Sequence, residues 1–457
     1  MNKYIFILGM TAMALFAACS TDEGLDAEEM ARLEKEREAA ILAEAISDSE
    51  IPITIGTGTH SNYNVTRAPL ESDANGLFAT ETGKYLGVFC LAVGKQTGAP
   101  DISALRSINW TVTGEYRDLI LKMSNVPAKV TNDGVLCNVQ FLDSIALKGK
   151  SESSRTWFYP MNDWIQYNFY AYYPRQDSII HDPVKNKDYR NLQISDSEVL
   201  EKYYLIDGSQ DIIWAASISN DNSFTDAKPY CAKYFRKKKA QIEEANDPTD
   251  NIANYYPQFN FEHKLSQFVF NVKAASTDDA AVLSDKHLKI TNVWINNVYT
   301  QLSLIVASKT DASTNGTLAV FGTPAVARKA LNIKKIGADV DRFDQDKNKT
   351  LDHALPISDN ATDVGLKTMG YLMVPPTDVV AAVPQATYAD YKLMVEVEYD
   401  KDDGTTTEQL QYILEPPTGG FIAGHKYNVQ LVFYAPSEVQ AYATLAGWEN
   451  GEDIVLE

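Results

Sequence analysis

Cysteine is scarce in this chain of 457 residues: four stand at positions 19, 90, 137 and 231. Cys19 closes the first apolar run, and the three that remain are an odd, sparse set that makes no disulfide framework. Cys90 in "GVFCLAV" and Cys137 in "GVLCNVQF" stand in apolar runs and read as small core residues, with a single pair among the three left open. Histidine is equally thin. His60, His181, His263, His287, His353 and His425 are scattered, and none makes a His-x-x-x-His or Glu-flanked spacing, so no metal-centre motif is present. There is no nucleophile elbow, phosphate-binding loop or Cys-x-x-Cys, and the glycines of "GTGTHSN" are followed by no helical pattern. The expectation is a protein that is not an enzyme and needs no cofactor. Positive charge is also in deficit, with 41 Lys and Arg against 61 Asp and Glu and a formal net charge of −20, which argues against nucleic acid as a partner. Runs of membrane-spanning length are missing too: the fifteen mostly apolar residues from Tyr4 to Ala18 fall short of the roughly 20 that a helical span needs.

That short run has the form of an export signal, with Lys3 before it and small residues after it. Its ending, Leu15, Phe16, Ala17, Ala18, Cys19, resembles the bacterial lipobox, which implies removal of residues 1–18 and acylation of Cys19. The following "STDEG" resembles the acidic tag of Bacteroidetes lipoproteins sent to the cell surface. The lipid would then hold the protein to the outer membrane, more firmly through several acyl chains than through one. Residues 19–50 form the lipidated cysteine and a helical spacer. In "DAEEMARLEKEREAAILAEAIS" Asp26 and Glu29 have capping-box spacing, while Met30, Leu33, Ile41 and Ile46 give only a narrow apolar stripe. From "IPITIG" onward, short runs rich in β-branched and aromatic residues are separated by Gly, Asn, Asp and Pro. Lys392, Met394, Glu396 and Glu398 alternate with Leu393, Val395 and Val397, the pattern of a half-buried strand. The class is all-β, and the strands are too many for one sandwich. Two antiparallel β-sandwiches in tandem are expected, at 51–254 and 255–457. The stretch "AKYFRKKKAQIEEANDPTDN" before the boundary, basic and then acidic, reads as a solvated helix and loop.

Two stretches suggest ligands. In "DVDRFDQDKNKTLDH" the oxygen-bearing Asp344, Asp346, Asn348, Thr350 and Asp352 alternate as in a calcium loop, but the turn glycine is Lys349 and the final acid is Leu355, which favours a solvated acidic loop. From Trp157 to Tyr173 there are nine aromatic rings in seventeen residues. Trp157 and Trp164 are the candidates to stack on a glycan. The competing and favoured reading is that Tyr167, Phe169, Ala171 and Tyr173 share one face of a strand and fill a core.

The ordered set "VTRAPLES", "YLGVFCLA", "NFYAYYP", "DIIWAAS", "NFEHKLSQFVFNV", "YLMVPP", "GGFIAGHKYNVQLVFYA" and "ATLAGWENGEDIVLE" resembles the fimbrillin-like proteins of Bacteroidetes over nearly all of the chain after residue 60. The resemblance implies two transthyretin-like β-sandwiches and a place as shaft, tip or anchor of a surface fimbrium that contributes to adhesion. It also implies an exported lipoprotein precursor that an arginine-specific protease cuts near the first strand. The matching position is Arg67, followed by Ala68 and Pro69, and no other basic residue lies between Arg37 and Lys84. Loss of the strand ahead of the cut would open a groove for an extended segment of another fimbrial subunit. At the far end Val439, Ala441, Ala443 and Leu445 alternate, and their small side chains suit a closing strand better than a donor, hence a tip or accessory subunit more than a shaft. The alternative is a stand-alone surface lipoprotein that binds a host ligand or glycan.

Overall fold

The clearest alternation in the sequence becomes the clearest strand: within Lys392–Lys401 the side chains of Leu393, Val395 and Val397 are buried, and Lys392, Met394 and Glu396 between them are only half covered. The computed structural model of the chain describes residues 27–57, 85–95, 108–113, 117–132, 137–144, 152–161, 165–175, 179–182, 187–190, 192–220, 228–321, 328–334, 355–356, 365–382, 391–434 and 438–446. The protein is all-β, with its sheets stacked as sandwiches around two apolar cores.

The first core lies between a large sheet and a smaller one. The large sheet runs in the order Gln258–Phe259, Gly56–Thr57, Cys137–Ser144, Leu121–Asn132, Leu86–Lys95, Ile165–Tyr173, Ile213–Ser217 and Glu262–His263. The smaller has the order Leu192–Ile194, Glu198–Leu205, Gln301–Ser308 and Leu318–Val320. The aromatic strand Ile165–Tyr173 is buried at every position because it is covered on both faces. Tyr172 meets Tyr204 of the smaller sheet edge-on, at 6.5 Å between ring centres. On the opposite face Phe169 packs on Tyr159 and Tyr230, and Phe235 packs on both of these in turn. The expectation that Tyr167, Phe169, Ala171 and Tyr173 fill a core therefore holds, and their neighbours of opposite parity fill it as well.

Phe235 belongs to the helix Ala232–Ala245, which the charge pattern marks as solvated. Its lysine-rich remainder is exposed or half-exposed, but Ala232, Tyr234 and Phe235 are buried, so the first turn docks into the aromatic layer. The N-terminal helix Ala27–Ile46 is exposed along most of its length, with Ile41 packed against the first core. The stretch "YRDLILKM", strand-like by composition, begins instead as a helical turn, Arg117–Ile120, that buries Leu119 and Ile120 before the strand starts. Cys90 and Cys231 are buried, and burial pushes the thiol of Cys90 well above its usual value.

The second core lies between two further sheets. One is ordered Lys367–Val374, Ser266–Ala274, Lys426–Tyr434 and Glu438–Ala446; the other is ordered Arg328–Asn332, Lys289–Tyr299, Lys392–Lys401 and Gly404–Ile413. Glu438–Ala446 pairs along its whole length with Lys426–Tyr434 and closes the sheet at its edge. Phe268 sits at the centre of this core, fully buried among Phe270, Tyr391, Phe421 and Tyr427.

The two sandwiches are interlaced. After Lys289–Tyr299 the chain crosses at Thr300 and lays Gln301–Ser308 against Glu198–Leu205, so the first core takes Leu302, Leu304 and Val306 from beyond residue 255. The indole nitrogen of Trp214 donates to the Val306 carbonyl at 2.8 Å. The turn back runs so close to Trp214 that a Cβ on Gly316 would lie 2.5 Å from its ring, and the φ of +71° there is one that glycine adopts without strain.

Candidate functional site

Of the residues singled out by sequence, Cys19, Arg67, Ala68, Trp164, Asp344, Asp346 and Asn348 lie outside the described residues. Trp157 lies within them, on the wall of a cleft of about 400 Å³ that Asp48, Arg117, Asp118, Lys122 and Arg155 also line. It is no bare platform: the guanidinium of Arg155 lies 4.3 Å from the ring centre, and the indole packs against the first core. Among the described residues no group of three or more His, Cys, Asp or Glu is placed to share a metal ion, and no helix is long and apolar enough to cross a membrane.

The feature that stands out is the segment ahead of Arg67. Residues 48–57, "DSEIPITIGT", form two short strands separated by three residues, Asp48–Pro52 and Gly56–Thr57. Period-two alternation explains the seating. Ser49, Ile53 and Ile55 are buried and Ile51 is half-buried, all of one parity, while Asp48, Glu50 and Pro52 are exposed. Asp48–Pro52 pairs antiparallel with Phe158–Pro160, and Ser49 Oγ donates to the Tyr159 carbonyl at 2.7 Å. The Ile53 amide donates to Trp157 O at 2.7 Å, and the Val139 amide donates to Ile55 O at 3.0 Å. Gly56–Thr57 then lies inside the large sheet, antiparallel to Cys137–Ser144 on one side and parallel to Gln258–Phe259 on the other. The segment is thus held by backbone on both flanks and by apolar side chains beneath.

Two ion pairs hold its outward face. Lys122 Nζ, on a side chain only 8% exposed, meets Asp48 Oδ1 at 2.5 Å. Arg236, from the docked helix, grips Glu50 in a fork, Nε to Oε1 at 2.7 Å and Nη2 to Oε2 at 3.2 Å. That hydrogen bond, ahead of all other causes, lowers the Glu50 carboxyl from 4.5 to about 2. A carboxyl whose folded value is depressed contributes stability above its unfolded value and loses it as pH falls through the folded one. The expected result is a decline in thermal stability between pH 4.5 and about pH 2 that is shallower in Glu50→Gln than in the unmodified chain. Identical pH profiles for the two proteins would show that the fork does not hold in solution. No local pattern in the sequence signals this fork, since its partners are 186 positions apart.

The fold defines a class, the all-β proteins of two sandwiches. No family model matches the chain, and no curated protein matches it. Among solved structures it is similar to a candidate cell-adhesion protein from Bacteroides uniformis, at 14% identity over 87% of this chain and 98% of that one, with a TM-score of 0.41. A second candidate cell-adhesion protein, from Bacteroides fragilis, is similar at 12% identity over 89% of this chain and 100% of that one, with a TM-score of 0.36. The fimbrial anchor protein of Porphyromonas gingivalis is similar at 11% identity over 87% of this chain and 98% of that one, with a TM-score of 0.28.

Proposed function

We propose that the chain is a non-enzymatic fimbrial subunit, tip or accessory more than shaft, that assembles by strand addition at the cell surface and contributes to adhesion. One observation carries this reading: residues 48–57, upstream of Arg67, are built into the first sandwich as a strand that fills its core. A cut between Arg67 and Ala68 separates that strand covalently from everything downstream while its contacts remain. Its departure leaves the Val139 amide and the Trp157 and Pro257 carbonyls unpaired beside an apolar slot, and another subunit's extended segment restores both. Cys19 lies on the same side of the cut, so the lipid that holds the precursor at the outer membrane leaves with the strand. The edge position of Glu438–Ala446 in its own sheet supports a closing role for the tail. A stand-alone glycan-binding lipoprotein, in contrast, would need Arg155 to leave the face of Trp157.

Intact mass with N-terminal peptide mapping, on protein taken from native cell surfaces, tests the reading. The unmodified protein is expected to begin at Ala68, and Arg67→Ala to begin at acylated Cys19. An unmodified protein that begins at acylated Cys19 would overturn the cut.

A further inference from the structure

We propose that the groove now holding residues 48–57 selects its occupant by charge as well as by shape, taking an extended segment of a neighbouring subunit with acidic residues two positions apart followed by branched apolar residues at alternate positions. The inference rests on the strand-addition reading and adds to it the chemistry of the incoming partner.

The segment that fills the groove shows what the groove requires. On the inward face Ser49, Ile51, Ile53 and Ile55 sit at successive alternate positions. On the outward face Asp48 and Glu50 meet cations from two unrelated elements, Lys122 of the strand Leu121–Asn132 and Arg236 of the helix Ala232–Ala245. These cations stay with the body of the protein when the segment leaves. Lys122 is the more demanding, because a cation 8% exposed has lost most of its hydration and needs an anion beside it. The other cations lining its cleft have acids of their own, Arg117 beside Asp118 at 3.6 Å and Arg155 beside Asp143 at 3.5 Å. The acid that meets Lys122 at 2.5 Å comes from the removable strand.

Charge resolves a problem that shape leaves open. A slip of one residue turns the isoleucines outward, so the apolar core forbids it. A slip of two keeps the isoleucines inward and replaces one isoleucine by another at two of the three isoleucine positions, with Ser49 or Thr57 entering the third. It nevertheless moves both acids, so that one reaches the other's cation and the remaining cation faces an uncharged residue. Two fixed cations spaced for acids two residues apart therefore sharpen a register that the isoleucines specify only weakly. Mismatched charge also excludes partners, since a basic residue at either position faces a like charge.

The test uses the full chain, cut after Arg67 by limited digestion with an arginine-specific protease and incubated with excess fluorescent peptide spanning residues 47–58. The unmodified peptide is expected to exchange into the groove. A peptide carrying Glu50→Lys is expected to bind at least roughly tenfold more weakly, and to regain its affinity on a chain carrying Arg236→Glu. Peptides carrying Asp48→Lys extend the comparison to Lys122 without altering that nearly buried side chain. Equal uptake of charged and charge-reversed peptides overturns the charge selection and leaves strand addition standing. A chain that resists the cut, or that takes up neither peptide, overturns strand addition and this inference together.

Discussion

Replacing Phe268 by alanine is expected to destabilise the protein by about 3–5 kcal/mol, the range for removing a phenyl ring from a packed core. The ring is fully buried, with Phe421 at 4.7 Å, Tyr391 at 5.8 Å and Tyr427 at 5.9 Å between centres. These three contacts and that with Phe270 are all edge-on, the geometry in which an aromatic pair adds about 0.5–1.5 kcal/mol beyond area burial. The flanking rings are fixed by their own bonds, Tyr391 donating to the Pro375 carbonyl at 2.7 Å and Tyr427 to that of Gly420 at 3.3 Å, so they resist collapsing into the space. Urea unfolding measures the loss. Leu366→Ala serves as the control, because Leu366 is 58% exposed and a surface change of that kind alters stability by about 0.5 kcal/mol or less. A loss below about 1 kcal/mol for Phe268→Ala would show that this core is loosely packed.

Ile55→Asp is expected to expel the N-terminal strand rather than to bury a carboxylate. Fully burying an isoleucine side chain is worth roughly 1.5–3 kcal/mol, and placing an unpaired carboxyl in the same dry site costs several more. Ile55 is fully buried, so both effects apply in full. The strand's hydrogen bonds and two ion pairs do not offset that sum, since both pairs persist in the unmodified strand and neither reaches the carboxyl placed at position 55. Hydrogen exchange reads the outcome directly. Protection of the Val139 amide, which donates to Ile55 O, and of the Gly56 amide, which donates to Pro257 O, is expected to fall more than about tenfold. The amides of Lys426–Tyr434 in the other sandwich are expected to keep theirs. Unchanged protection at Val139 would mean that the strand is not an integral part of the first core, and the proposed opening of the groove would fail with it.

Local pattern announced most strands because each carries its own period, as in Leu393, Val395 and Val397, or a density of rings that only a core accommodates, as in Ile165–Tyr173. The N-terminal strand was legible in the same way from "IPITIG". Three things were not. Nothing in "QLSLIVAS" says which sandwich it joins, because strand period reports burial and not partners. The docking of Ala232–Ala245 was hidden by its charges, since three buried residues in a first turn make too short a stripe to be seen against five cations. The cations that meet Asp48 and Glu50 come from 74 and 186 positions away, and no local spacing rule reaches so far. The groove's apolar face could be read from the chain, and its charged rim required the fold.

The crossing of the chain between the two cores has a mechanical consequence. Two domains on one linker swing freely and part as the linker straightens. Here the chain passes from the first core to the second after Leu265, returns at Thr300, and leaves again between Phe321 and Arg328. Ser266–Ala274 and Lys367–Val374 also present opposite faces to the two cores, Val269, Tyr371 and Met373 to the first and Phe268, Phe270 and Leu372 to the second. Among the described residues, therefore, the two cores are joined by more than one crossing and by a shared sheet. Pulling the two cores apart would have to break the ladder between Glu198–Leu205 and Gln301–Ser308 and peel a shared sheet from one core, so the two cores resist separation together.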